Sequence, residues 1–321
     1  MNHLAVGKID FLLDRGYKKL QNPYLQSHFP LRQYGYIMEA PLNNENRWPA
    51  KIVCSIIDKQ FKQYVSTTYA KKDDYLKLIE TTTFLKCRNK LFPKIVNLYP
   101  YDNTVLCERI GEFLIDHLLN NPNDLVSSLI SVFEYLKEIN SINQSYKPFV
   151  IPSIVQVALE LAKDSTYGFE FLPKTRISLL KLKHSINKFS YGCGIEDPHI
   201  WNFRVMRSFD RIEALSTDFD YFSNEVNPFW ELGYFYATFR WFKKISFSLA
   251  DEAEKNVLSL IQNQDVKSKF MFWLGVLSSY CGYKDSLRNL IMNGGITVLE
   301  EQYKIIKQLD EKVSYLAEEL L

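Results

Sequence analysis

The sequence predicts an α+β protein of two unequal parts, a smaller antiparallel-strand N-terminal part and a larger, mainly helical C-terminal part. Three observations predict it. From about Leu31 to Ile110, short β-branched and aromatic runs alternate with polar turns. From Gly111 onward the apolar residues recur at helical spacings instead. The helical half is then interrupted once, over residues 191–224, by a stretch bearing glycine, proline and two strand-like runs. The division expected is therefore 1–110 and 111–321.

Taken in order, a helix is expected over residues 3–20. GYIMEAPL, KIVCSIID and QYVSTTY then read as strands, separated by turns such as Asn43-Asn44-Glu45-Asn46. DDYLKLIETTTFLKC reads as a helix whose face is Leu76, Ile79, Thr83 and Lys86. Pro93 opens the strand PKIVNLY, and Tyr101-Asp102-Asn103 turns it into TVLCERI, a hairpin. Beyond it, Leu125, Leu129, Val132, Phe133 and Leu136 form one helical stripe. Leu179, Leu182, Ile186 and Phe189 form another. Leu299, Tyr303, Ile306, Val313, Leu316 and Leu320 form a C-terminal helix, introduced by Asn293-Gly294-Gly295 and expected to pack on its own domain.

In the interruption, Gly192 and Gly194 are expected to end the preceding helix and Pro198 to block its continuation. WNFRVM and RIEALSTDF read as a hairpin. Asp197, Asn202 and Asp218 are thus delivered by a loop and a hairpin within a helical scaffold, where sites are commonly built.

Composition narrows the function. The 321 residues carry 39 basic and 37 acidic side chains, a net charge of +2, so no overall field recommends nucleic acid or a membrane as partner. Lys181, Lys183, Lys188 and Lys243-Lys244 read as solvated helix faces. Five cysteines without a C-x-x-C pair argue against a disulfide framework and a zinc site. The N-terminus places charges inside its apolar stretch, a poor signal peptide, and the richest apolar run, FMFWLGVL, is too short to span a bilayer. A soluble, cytoplasmic protein is expected.

Asp197-Pro198-His199-Ile200-Trp201-Asn202, followed sixteen residues later by Asp218-Phe219-Asp220, resembles the catalytic loop and metal-binding aspartate of the aminoglycoside phosphotransferase and choline kinase-like family. VLCERIGEFL (105–114) resembles its hinge strand. Asn227-Pro228-Phe229-Trp230-Glu231-Leu232-Gly233 resembles the start of its next helix. The resemblance spans roughly residues 31–245. It implies a protein-kinase-like bilobal fold and ATP- and Mg²⁺-dependent phosphorylation of a hydroxyl on a small molecule. It gives Asp197 the role of base, and gives Asn202 and Asp218 that of Mg²⁺ ligands. Asp220 is a second metal ligand or a loop anchor. Glu108, Arg109 and Ile110 would offer backbone groups to adenine. Such chemistry suits these residue types, because phosphoryl transfer asks for positioning and charge neutralisation, and amide and carboxylate oxygens are hard ligands.

The chain departs from the family pattern in five places. The family's loop histidine falls at Ile195 and its glycine at Glu196. The third strand carries Thr67 where a phosphate-gripping lysine is expected, and Glu80 is the nearest match to that lysine's helix partner. No glycine lies between Gly35 and Gly111. Lys59, Lys62, Lys71, Lys72 and Arg47 are the alternative cations, with Lys62 favoured because it immediately precedes the strand. A kinase-like module that binds nucleotide or a partner without catalysis is the alternative function.

Overall fold

Residues 18–19, 38–41, 51–57, 63–85, 92–152, 155–156, 159, 172–208, 211–217, 222–241, 247–282 and 299–321 are described by the computed structural model. They belong to two units, Met1–Gly111 and Glu112–Leu321.

In the first unit, β1 (Lys18–Lys19), β2 (Met38–Pro41), β3 (Lys51–Ile57), β4 (Gln63–Tyr69), β5 (Ile95–Tyr99) and β6 (Thr104–Glu108) form one sheet, ordered β1-β2-β3-β4-β6-β5. All of its pairings are antiparallel. Strand alternation buries Tyr64 and Ser66 and leaves Val65 and Thr67 half-buried on the other face. Ile56, Tyr64, Tyr99 and Leu106 make the buried cluster, with Val96 packed against it. Lys18 and Lys19 pair with Glu39 and Met38 in this sheet, which corrects the helix expected up to residue 20. Residues 3–17 lie outside the described ones.

The single described helix of this unit, α1 (Lys72–Leu85), follows β4. It buries Tyr75, Leu78, Thr81 and Thr82, and Leu76 is 43% exposed. The face expected from Leu76 is therefore the wrong one. A helical threonine can satisfy its hydroxyl on its own helix, as Thr82 does on the Ile79 carbonyl at 2.9 Å, so polarity did not mark the buried side.

The second unit begins with β7 (Glu112–Phe113), α2 (Leu114–Asn120), a 3₁₀ turn (Pro122–Asp124) and α3 (Leu125–Asn140). The α3 stripe of Leu125, Leu129, Val132, Phe133 and Leu136 is buried as its spacing requires. Next come β8 (Ser145–Pro148), α4 (Pro173–Lys183), β9 (Lys188–Ile195), a 3₁₀ turn (Ile200–Asn202), β10 (Phe203–Ser208), β11 (Arg211–Ser216) and β12 (Phe222–Val226). Helices α5 (Pro228–Trp241), α6 (Phe247–Gln262), α7 (Val266–Gly282) and α8 (Leu299–Glu318) close the chain. The strands make two antiparallel three-stranded sheets, β11-β10-β7 and β12-β9-β8. No helix among the described residues is long and apolar enough to cross a membrane.

Two expectations fail around residue 190. Helix α4 stops at Lys183, Ile186 is 98% exposed, and Phe189 is buried from a strand. The helical spacing of those four apolar residues ran across a turn by coincidence. Gly192 and Gly194 end no helix; they lie inside β9. They are glycine because neighbours come too close: a Cβ at 192 would stand 1.8 Å from the Asn140 carbonyl, and one at 194 would stand 2.8 Å from Glu231 Oε1.

α5 is buried from Trp230 through Thr238. It meets α7 at two glycines. A Cβ at Gly233 would lie 1.9 Å from the Phe272 carbonyl, and one at Gly275 2.0 Å from the Trp230 carbonyl. Trp230 Nε1 donates to Ser278 Oγ across the same contact at 2.9 Å. α8 packs on its own unit, where Asp310 Oδ1 accepts from the Thr175 amide at 2.8 Å and the Ser178 and Ser314 hydroxyls meet at 2.8 Å.

Gly233→Ala is expected to destabilise the protein by about 1–3 kcal/mol, the usual cost of forcing added carbon into a closed contact. Chemical denaturation of the variant beside wild type measures it. An unchanged midpoint would contradict the close approach of α5 and α7.

Candidate functional site

β9 delivers the chain into the loop Glu196-Asp197-Pro198-His199, and the turn Ile200–Asn202 carries it out into β10. The Asp197 carbonyl closes this loop by accepting twice, from the His199 amide at 2.9 Å and from Asn202 Nδ2 at 2.8 Å. The Asn202 amide in turn donates to the His199 carbonyl at 2.8 Å. With its nitrogen so committed, the buried Asn202 side chain has its oxygen as the group left to bind something else. The Asp197 side chain remains 35% exposed. His199 Nδ1 accepts from the Trp201 amide at 3.2 Å, which in the neutral ring places the proton on Nε2, 3.7 Å from Asp197 Oδ2.

The hairpin β10–β11 returns the chain to the same place. Phe203 pairs with Ser216, and the Thr217 amide donates to the Asn202 carbonyl at 2.9 Å. Thr217 immediately precedes Asp218. The structure therefore brings together Asp197, Asn202 and the residue that leads into Asp218. Asp218 and Asp220 themselves lie outside the described residues.

Two side chains on α5 hold the loop's ends. Glu231 Oε1 accepts from the Ile195 amide at 2.5 Å, and Thr238 Oγ1 accepts from the Ile200 amide at 3.3 Å. They are seven residues apart, two helical turns, and so share one face. Glu231 is wholly buried, its Oε2 finds no partner among the described residues, and burial pushes its carboxyl well above the ordinary carboxylate range despite the Ile195 amide, which lowers it. Asn227 sets the helix start, where its Oδ1 accepts from the Phe229 and Trp230 amides at 2.9 and 3.3 Å. From the other side, Phe113 stands edge-on to Trp201 with ring centroids 6.1 Å apart, and the buried Arg204 guanidinium lies 3.9 Å over the Phe113 ring.

Sequence reasoning missed the anchoring roles of Glu231 and Thr238. Their signal was available: two polar residues at a seven-residue spacing in an otherwise aromatic and aliphatic run.

In the first unit, Glu108 ends β6, with Arg109 and Ile110 beyond it. The Glu108 amide donates to the Lys94 carbonyl at 2.9 Å and the Arg109 amide to the Gln63 carbonyl at 3.0 Å. Thr67 is half-buried in β4, paired with Val53 and Val105, and Glu80 is exposed on α1. Lys71 and Lys72 are exposed at the start of α1. Lys62, Lys59 and Arg47 lie outside the described residues.

The chain has the bilobal α+β fold of protein-kinase-like enzymes. An aminoglycoside phosphotransferase in ternary complex with ADP and hygromycin B is similar over 90% of this chain and 97% of its own, with a TM-score of 0.53 at 12% identity. The ethanolamine kinase of Plasmodium vivax is similar over 90% and 86%, with a TM-score of 0.52 at 13% identity. For the choline kinase of Cryptosporidium parvum the shares are 88% and 94%, the TM-score 0.51 and the identity 14%. These likenesses, at 12–14% identity, are likenesses of fold. No protein-family model matches the chain, and no curated protein matches it in sequence.

A carboxyl held neutral in the folded state and ionised in the unfolded one adds stability in full below about pH 4.5, and that contribution is lost as pH rises toward the raised value. Glu231→Gln keeps an acceptor for the Ile195 amide and removes the titration. The variant is therefore expected to gain stability relative to wild type between about pH 5 and about pH 8. Unfolding curves at both pH values check this, and a constant difference would show that Glu231 does not titrate abnormally.

Proposed function

We propose that the protein transfers the γ-phosphoryl group of ATP to a hydroxyl of a small molecule in the cytoplasm, with Asp197 as the base. The observation that carries this reading is the closed loop. The Asp197 carbonyl is locked by two donors while its carboxylate stays a third exposed, beside an Asn202 whose amide nitrogen is already committed. The likeness in fold to kinases of choline, ethanolamine and aminoglycosides supports it.

In this reading the acceptor's O–H donates to the Asp197 carboxylate, which orients the oxygen toward the γ-phosphorus and takes its proton as the new P–O bond forms. The bond from the γ-phosphorus to the β–γ bridging oxygen breaks, and ADP leaves with that electron pair. Asn202 Oδ1 and Asp218 would hold Mg²⁺, with Asp220 as a further ligand or a loop anchor. The ion would supply charge neutralisation at the phosphate oxygens. Backbone groups of Glu108, Arg109 and Ile110 would meet adenine, other than the Glu108 and Arg109 amides already bonded within the sheet. Lys62 would offset the remaining phosphate charge.

Asp197→Asn is expected to lower Mg²⁺-dependent ADP release in the presence of an accepted hydroxyl compound by about 10²–10⁴ in turnover, as for loss of a general base. Its unfolding curve should match wild type. Unchanged turnover would remove Asp197 from the mechanism.

Thr67, at the strand position where a phosphate-gripping lysine is expected, favours a second reading, a kinase-like module without catalysis. Binding separates its forms. Mg·ATP at about 100 times Kd stabilises a binder by about 2.7 kcal/mol, visible as a rise in Tm. Loss of that rise in Lys62→Ala would identify the gripping cation. A rise without ADP release selects the nucleotide-binding module. The absence of any rise at millimolar Mg·ATP selects a module that binds a partner instead.

A further inference from the structure

Helix α4 presents apolar residues on two opposite faces. Thr175, Ser178, Leu179 and Leu182 are buried against the unit. With about 3.6 residues per turn, Ile177 and Leu180 fall directly opposite them, and they are 56% and 46% exposed. Lys174 and Lys181 share one flank of that outward ridge, and Arg176 and Lys183 share the other. Past the helix end, Ile186 is almost wholly exposed, followed by the exposed Lys188. Residues 173–195 hold five lysines and arginines and no aspartate or glutamate. From α8, Glu311 lies 3.4 Å from Lys174 at the helix's first turn, Asp310 is buried against the Thr175 amide, and the exposed Glu318 and Glu319 immediately precede Leu320, whose carbonyl accepts from Asn187 Nδ2.

From this arrangement we propose that the outer face of α4 docks on an anionic lipid bilayer surface. A planar interface is what an apolar ridge flanked on both sides by cations fits. The aliphatic side chains enter the region beneath the headgroups, and the lysine and arginine stems let their charges stay among the lipid phosphates and carboxylates. Nucleic acid fits less well, because Ile177 and Leu180 would stand where phosphates should be met. A second copy of the chain fits less well too, since two such faces would oppose cation to cation. The overall charge of +2, from which no membrane partner was expected, averages this face with the rest of the chain.

The test is co-sedimentation of the full chain with phosphatidylcholine vesicles, with and without about 30 mol% phosphatidylserine. The expected result is binding to the anionic vesicles alone, reduced by about 0.5 M NaCl. Lys181→Glu is expected to weaken it by about five-fold or more, the effect of one cation near such a surface. Ile177→Ser should weaken it at unchanged charge. Both positions are exposed, so a circular dichroism melt matching wild type identifies the loss as one of binding. Failure to bind anionic vesicles, equal binding to neutral ones, or binding unchanged in both variants would overturn the proposal. So would self-association abolished by Ile177→Ser. None of these outcomes depends on phosphoryl transfer, so the two readings fail separately.

Discussion

A buried carboxyl on the central helix of the second unit governs how the loop around Asp197 is held. Glu231 sits on α5 with one oxygen on the Ile195 amide, where β9 ends. A backbone N–H leaving a strand inside a protein must find an acceptor, and the cost of leaving it bare is of the order of the whole net value of a hydrogen bond. Thr238 does the same for the Ile200 amide two turns later. The loop is thereby gripped at both ends by one rigid helix, and Asp197 lies between the grips. A site on irregular backbone gains its precision this way, from side chains that are themselves locked in a packed element.

The rest of the second unit can be understood as what allows α5 to stand there. Its glycine contact with α7 lets the two backbones approach, and Trp230 spans them to Ser278. β9 lies close to both α3 and α5 because Gly192 leaves room for the Asn140 carbonyl and Gly194 leaves room for Glu231. Asn140 Nδ2 then donates to the Val226 carbonyl at 2.5 Å, and Asn227 Nδ2 to the Ser190 carbonyl at 2.9 Å, so that β9, β12 and the start of α5 are tied together. On the far side of the loop a buried histidine steadies β7. His117 meets Glu112 Oε1 at 2.7 Å and Asp124 Oδ2 at 3.0 Å, next to the Phe113 that faces Trp201.

Much of the fold was legible because strand and helix impose different periods. QYVSTTY became β4 over the same residues, KIVCSIID and TVLCERI became β3 and β6 within one to two residues, and the stripe from Leu125 to Leu136 is the buried face of α3. The hairpin of β10 and β11 followed from its two short strand-like runs. Where the reading failed, apolar spacing did not carry the information. Among the described side chains of α1 the buried ones are Tyr75, Leu78, Thr81 and Thr82, two of them threonine. Ile186 kept the helical beat although the chain had already turned.

What the sequence determined by itself was local: which stretches are strand or helix, and that Asp197 and Asn202, five residues apart across a proline, would share one tight loop. Chain connectivity and side-chain period suffice for that. What only the tertiary structure decided was everything resting on two backbones coming close. The glycines at 192 and 194 read as helix breakers until Asn140 and Glu231 stood beside them. The anchoring of the Asp197 loop by Glu231 and Thr238 joins residues 36 and 38 positions apart. No periodicity encodes such a bond, because a donor in one element and an acceptor in another meet only after both have packed.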